Sequence, residues 1–183
     1  VVNRFCSSGL QAIADATAKI NAGWADVVIA GGAESMSHIP MGGSIFRPHP
    51  EWGDLPNTYV SMGITAENVA EEFAVSREDQ DKFAVESNRR AHEAIVSGKF
   101  EDEIVPIEAW RYSTDAKGRR IKTRKTFSVD DGVRWPTTVE GLAKLKSPFK
   151  AGGIVTAGNS SQMTDGAAFS LIMSAEKAKA LGL

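Results

Sequence analysis

The 183-residue sequence predicts an α/β fold in which a solvated insertion interrupts a buried layer. Three observations carry this reading. Residues 1–35 are poor in charge and residues 151–174 are small and apolar, whereas residues 67–125 hold 25 of the 44 charged side chains. The opening segment reads as strand, helix, strand. Two apolar runs, Asp26–Ala30 and Ala167–Met173, have the composition of strands covered on both faces.

Taken in order, Val1–Cys6 reads as the tail of a buried strand. Ser7 or Ser8 then caps a helix, because Leu10, Ile13, Ala14, Thr17 and Ile20 follow 3.6-residue spacing. Asn21-Ala22-Gly23 stops it. The simplest packing of the first strand on Asp26–Ala30 is a parallel pair joined by a right-handed helical crossover. The Gly- and Pro-rich stretch Pro40–Pro56 predicts no regular structure. One helix is expected over Thr65–Phe73. A longer one follows Ser76, where Ser76-Arg77-Glu78-Asp79 has capping-box spacing with Asp in place of Glu. Its inner stripe reads as Phe83, Ser87, Ala91, Ala94 and Ile95, and Gly98 ends it. Short strands are expected at Glu103–Ile107 and Lys122–Phe127, and a short helix at Thr138–Leu145. Ala167–Met173 reads as a strand able to pair with Asp26–Ala30. Ser174 caps a final helix that stops without a clear capping sequence.

Composition narrows the function classes. The net charge is −2 and 42% of residues are hydrophobic, an ordinary globular balance. A pI near 6.0 argues against a nucleic-acid-binding role, which needs a basic excess. No run of about 18 apolar residues predicts a membrane-spanning helix. The single cysteine excludes an internal disulfide and fits a reducing compartment. The first residue is Val1, and the chain is expected to be a piece of a longer protein.

Cys6 is the first candidate for chemistry. At a turn leading into a helix, backbone amides and the helix dipole stabilise an anion, favouring a thiolate and holding a developing oxyanion. Such a thiolate attacks a carbonyl or thioester. The competing reading is a buried cysteine acting as a small apolar residue. His38, His49 and His92 show no metal-ligand spacing with one another or with Cys6. His92 is expected to be exposed, and His38 to lie near a cleft. Gly31-Gly32 and Gly152-Gly153 lack dinucleotide-fingerprint spacing and read as sites of tight turn or close backbone approach. Residues 111–125 carry seven basic side chains and one acid, Asp115, which reads either as a phosphate-attracting face or as a solvated one.

Five segments, in order, resemble the thiolase family. They are Asn3–Ala12 around Cys6, Gly31–Ser37, Met62–Ala70, Ser76–Asp81, and Thr156–Ser161 with Asp165–Ala168. The resemblance implies that Cys6 is an acyl-accepting nucleophile. It implies thiolytic cleavage of a 3-ketoacyl-CoA to acetyl-CoA and a shortened acyl-CoA, as in fatty acid β-oxidation. Coenzyme A is then a substrate, and no separate cofactor is expected. The implied architecture is the N-terminal half of a thiolase-like fold, with residues 1–35 and 151–183 as partial core and 36–150 as an inserted loop domain covering CoA.

By residue type alone, Met62, Leu145 and Phe149 read as core filling. The resemblance instead makes them lining of the CoA channel. It places Arg134 near the adenine end and Ser161 on the pantetheine arm. Two positions depart from biosynthetic members: Gly141 replaces a serine, and Ser61 stands where a histidine is frequent. Asp131–Arg134, Ala157–Ser161 and Met41-Gly42 look closer to degradative members. The family's Gly-His-Pro, Cys-x-Gly-Gly-Gly and Asn-Glu-Ala-Phe motifs do not occur in these residues, so the 183-residue chain alone is expected to be inactive.

The implied partners are acyl-CoA, CoA, further copies of the chain as a homodimer or homotetramer, and a β-oxidation complex. Three alternatives stand beside this reading: a biosynthetic acetoacetyl-CoA thiolase, a ketoacyl-synthase-type condensing enzyme, and a non-catalytic acyl-CoA-binding relative. The Met62-Gly63 segment argues against the second and Cys6 against the third.

Overall fold

The computed structural model describes residues 1–45, 47–53 and 58–183. In chain order the elements are α1 (Ser8–Asn21), β1 (Val27–Glu34), α2 (Met62–Glu72), α3 (Arg77–Val96), β2 (Ile107–Thr114), β3 (Arg120–Phe127), α4 (Val139–Ala143), β4 (Gly166–Met173) and α5 (Ala175–Leu181). Short 3-10 turns occupy Phe5–Ser7 and Pro50–Trp52. The second lies in the Pro40–Pro56 stretch expected to be irregular, of which residue 46 and residues 54–56 fall outside the described residues. Two compact units form, one from residues 1–47 and 163–183, the other from 48–162.

In the first unit, β1 and β4 pair antiparallel with Val27 opposite Met173 and Glu34 opposite Gly166. α1 packs on this ribbon, burying Ala16 and Ala30. The pairing of the two apolar runs was legible, but two expectations about them fail. Val1–Arg4 forms no strand and is exposed, and among the described residues β1 has β4 as its ladder partner. The expected parallel pair therefore does not form; an antiparallel ribbon needs no helical crossover. Nor are the strands covered on both faces. Side chains alternate across the ribbon, so Val28, Ala30 and Ile172 face inward while Ile29, Phe169 and Leu171 stay exposed. Gly31 is opposite Phe169, and a Cβ there would collide with the Ala168 carbonyl.

Ser174 caps α5, its hydroxyl accepting from the Lys177 amide at 3.1 Å. The helix does carry a stop, contrary to expectation: Gly182 is left-handed at φ 73°, and the Leu183 amide donates to the Ala178 carbonyl at 3.0 Å.

In the second unit, α2 begins three residues before the expected Thr65, because Ser61 accepts from the Ile64 amide and caps it. Ser76 caps α3 by accepting from the Asp79 amide at 3.1 Å, while its hydroxyl donates to the Asp79 carboxylate at 2.7 Å. Gly98, at φ 73°, follows the helix end as expected.

The inner stripe of α3 agrees with the expected one only toward its C-terminal end, where Ala91, Ala94 and Ile95 are half-buried. Asp81 and Ala84 are buried, Ser87 is exposed, and Phe83 is 77% exposed. A buried, fully partnered carboxylate sets this face, and apolar periodicity does not see it. The strand expected at Glu103–Ile107 instead runs Ile107–Thr114, paired antiparallel with Arg120–Phe127. The hairpin turn fixes that register, since Asp115 accepts from the Lys117 and Arg119 amides, each at 2.9 Å. Thr138 caps α4 through the Gly141 amide at 3.1 Å.

Candidate functional site

Cys6 lies in the 3-10 turn immediately before α1 and is exposed, so the reading of a buried apolar cysteine does not hold. The turn is built from its own neighbours. Phe5 takes a left-handed conformation, φ 49°, which costs a non-glycine residue about 1 kcal/mol. The Phe5 amide donates to Asn3 Oδ1 at 3.0 Å, and the Arg4 amide donates to Ser8 Oγ at 2.9 Å. Ser8 Oγ in turn donates to the Phe5 carbonyl at 2.8 Å. Arg4 donates to Gln11 at 2.7 Å, and Gln11 to Asp15 at 2.7 Å, which ties the turn to the first two turns of the helix. Ser7, the N-cap, makes no side-chain capping bond. The result is an accessible thiol ahead of a 14-residue helix, where the dipole favours negative charge.

At the other end of β1, Asp165 accepts from the Ser37 amide at 2.8 Å. Hydrogen bonds from Ser37, the charge of His38 and a bond to Ser35 hold its carboxyl below the ordinary aspartate range. His38 itself is exposed.

The second unit places Met62, Arg134, Leu145, Phe149 and Ser161. Met62 opens α2 and is 62% exposed. The next residue, Gly63, lies directly under the Phe149 ring, so that a Cβ there would collide with it. Leu145 packs with Leu142 against Gly158, three residues before Ser161. Ser161 is exposed, and its hydroxyl donates to the Gln162 carbonyl at 3.2 Å. The Arg134 amide donates to Asn88 Oδ1 on α3 at 2.9 Å, and its carbonyl accepts from Thr137. Beside it, Trp135 stacks on His92 with ring centroids 5.7 Å apart. His92 is half-buried as a result, not exposed as expected.

What holds these segments was not assigned a role by sequence reasoning. Glu67 on α2, 4% exposed, accepts from the Val155 amide at 2.9 Å, the Ile154 amide at 3.0 Å and Ser147 Oγ at 3.0 Å. Burial pushes its carboxyl up, but these three bonds and the charge of Lys150 outweigh burial and hold it below its ordinary value. Asp81 on α3, 1% exposed, accepts from Arg77 Nε at 2.8 Å and Asn159 Nδ2 at 3.1 Å. Arg77 Nη2 reaches on to the carbonyls of Leu142 at 2.6 Å and Leu145 at 3.1 Å. Thr156, fully buried, donates its amide to Asn159 Oδ1 at 2.7 Å and accepts from Gly158 at 3.2 Å. The only sequence signal was that Glu67, Arg77, Asp81, Thr156 and Asn159 fall inside the motif segments, with Ser147 outside them; buried carboxylates must be partnered.

The basic run 111–125 forms the hairpin. Lys122 Nζ sits 4.1 Å from the Trp110 ring centroid, Arg124 pairs with Glu108 at 3.1 Å, and Arg119 with Asp115 at 2.8 Å. A cleft lined by Ile95, Phe100, Ile104, Pro106 and Val129 includes none of the predicted site residues. Among the described residues, no group of three or more His, Cys, Asp or Glu is placed to hold a metal, and no helix is long and apolar enough to cross a membrane.

Comparison with known proteins places this arrangement. Residues 1–176 match the family model described as the thiolase N-terminal domain. The chain is 51% identical to a 3-ketoacyl-CoA thiolase of Bacillus subtilis and 46% identical to the peroxisomal 3-ketoacyl-CoA thiolase of Homo sapiens. Each match covers the whole chain but only 47% and 42% of those relatives. The crystal structure of the dimeric peroxisomal thiolase of Saccharomyces cerevisiae superposes with a TM-score of 0.78 at 37% identity. That of the Bacillus anthracis acetyl-CoA acetyltransferase gives 0.75 at 38%. Both cover all of this chain, which accounts for 45% and 47% of theirs. The chain thus spans less than half the length of the relatives it matches.

Proposed function

The chain belongs to the thiolase family, and from that premise we propose that the full-length protein cleaves 3-ketoacyl-CoA thiolytically, with Cys6 as nucleophile. The observation that supports this most is Cys6 itself: an accessible thiol, held in a strained turn at a helix N-terminus, within a segment that matches relatives named 3-ketoacyl-CoA thiolase.

The Cys6 thiolate adds to the C3 ketone, and the oxyanion needs donors where the charge develops. The C2–C3 bond breaks, and its electron pair leaves as the acetyl-CoA enolate, which takes a proton from a general acid. The acyl group remains on Cys6 as a thioester. The thiol of a second CoA, losing its proton, displaces Cys6 and carries off the shortened acyl chain. On this reading residues 36–150 form a loop domain over CoA. Met62, Leu145 and Phe149 line its channel, Ser161 contacts the pantetheine arm, and Arg134 lies toward the adenine. Residues 1–35 and 151–183 belong to the catalytic core, and the protein self-associates as its relative from yeast does. The fatty acid β-oxidation direction follows the names of the curated relatives.

The test is turnover of 3-ketoacyl-CoA with CoA by the full-length protein. Cys6→Ala is expected to lower kcat by about a thousandfold or more, with the protein still folded. Equal turnover by parent and variant would remove Cys6 from the mechanism. A folded parent with no turnover would leave an acyl-CoA-binding protein in its place.

A further inference from the structure

Two of the CoA-lining residues assigned above, Leu145 and Ser161, lie on segments joined through α3 by an ion pair whose carboxylate is buried and whose arginine is partly buried. Asp81 bonds Asn159, two residues before Ser161, and Arg77. Arg77 Nη2 donates to the backbone of α4 and the turn after it, at the Leu142 and Leu145 carbonyls. Leu142 and Leu145 then pack against Gly158 in the loop that Asn159 anchors, closing a ring of contacts. Asn159 Nδ2 also donates to the Ile154 carbonyl at 3.1 Å, so the loop is pinned at both ends.

We infer that Arg77, Asp81 and Asn159 are positioning residues that set the spacing between Leu145 and Ser161, and so the fit of the acyl-CoA arm between them. This rests on the proposed CoA-binding role of those two residues. The geometry asks for these residue types. An arginine can present Nε to a carboxylate and both hydrogens of Nη2 to two carbonyls in one rigid plane, a fixed geometry that a lysine ammonium lacks. Asp81 lies on α3 one turn after Arg77, and its two carboxylate oxygens are divided between Arg77 Nε and the side-chain amide of Asn159. Helix α4 is five residues long; the Leu142 carbonyl near its end accepts from the Leu145 amide at 2.9 Å, and the Arg77 guanidinium adds a charged donor to that carbonyl and to the Leu145 carbonyl in the following turn.

The informative variant is Arg77→Lys in the full-length protein, which keeps the charge and removes the fork. The KM for 3-ketoacyl-CoA and the Kd for CoA are expected to rise about tenfold or more, with kcat changed less than about threefold. Asn159→Asp, which places a carboxylate against Asp81, is expected to raise KM further. Ala84→Gly, on the same helix and buried but outside the ring of bonds, lowers the melting temperature without moving KM. If Arg77→Lys fails to fold, Asn159→Ala gives the same readout from the loop side.

Folded Arg77→Lys or Asn159→Ala protein with parental KM and Kd overturns the inference and leaves the thiolase reading standing. A KM that follows melting temperature equally in Ala84→Gly overturns it as well, since stability alone would then account for the loss. A parent that neither turns over 3-ketoacyl-CoA nor binds CoA overturns the parent reading and the inference with it.

Discussion

The turn that carries Cys6 and the loop that carries Ser161 are stabilised in opposite ways. Around Cys6 every side-chain hydrogen bond spans seven residues or fewer, from Asn3 to Gln11, and the groups are exposed. Around Ser161 the defining bonds span 78 to 88 residues and end on carboxylates that are almost fully buried, with one more, 65 residues long, from Arg77 to the Leu142 carbonyl. The first arrangement is local: its side-chain bonds lie within residues 3–11 and hold Phe5 in its left-handed conformation. The second exists only when α2, α3, α4 and residues 153–159 have come together. The nucleophile and the substrate-lining segments should therefore respond differently to mutation: local changes are small and additive, and removal of a buried partner is large.

The sharpest test of that contrast is Asp81→Ala. It leaves Arg77 partly buried with no carboxylate and takes from Asn159 Nδ2 one of its two acceptors, the Ile154 carbonyl remaining, and breaking a buried pair from one side costs about 3–5 kcal/mol. Denaturant unfolding of the full-length protein, with amide exchange resolved to residues 139–159, should show that loss; less than about 1 kcal/mol would mean that solvent screens the pair as on a surface. Next in size is Gly63→Ala. The added methyl meets the Phe149 ring, and overpacking costs about 1–3 kcal/mol. Its KM for acyl-CoA should rise as well, because Phe149 can only yield by moving. A variant as stable as the parent with unchanged KM would mean that the ring relaxes freely.

Ser8→Ala, on the other side of the comparison, removes two exposed bonds and should cost only about 1 kcal/mol or less. Its signature is chemical. Freed of Ser8, Phe5 can leave its left-handed conformation, and alkylation of Cys6 should slow. An unchanged alkylation rate would separate the thiol's reactivity from the turn.

The same contrast explains what could be read in advance. Ser76 and Ser174 were readable as caps because a cap is decided within four residues. Gly23 and Gly98 were readable as stops for the same reason. The pairing of the runs around Ile29 and Leu171 was legible from composition, but its antiparallel sense was not, since nothing local to either strand encodes direction. Phe83 was misplaced because spacing alone favoured it, while the actual inner face is decided by Asp81, whose partners lie on distant segments. The hairpin start moved from Glu103 to Ile107 because the register is set at Asp115, beyond the apolar run. For the site, the position of Cys6 ahead of a helix was legible, and the device behind Leu145 and Ser161 was not. Spacing finds apolar faces, and this device is made of charges that become intelligible only once they are buried and partnered.

The smallest effect is the titration of Glu67, which is read in acid. Its carboxyl is held below the ordinary glutamate value, about 4.3, by the Ile154 and Val155 amides, Ser147 and Lys150, against the opposing push of burial. In that window the unfolded chain binds a proton that the folded one does not, so stability falls as pH drops from the ordinary value through the folded one. Above about pH 5 the contribution is fully present. Glu67→Gln keeps an acceptor for one amide, removes the titration and should flatten this limb of the stability profile, while amide exchange at Ile154 and Val155 quickens at neutral pH. A limb as steep in Glu67→Gln as in the parent would assign the acid sensitivity elsewhere, with Asp165 and its hydrogen bond to Ser37 the next group to test.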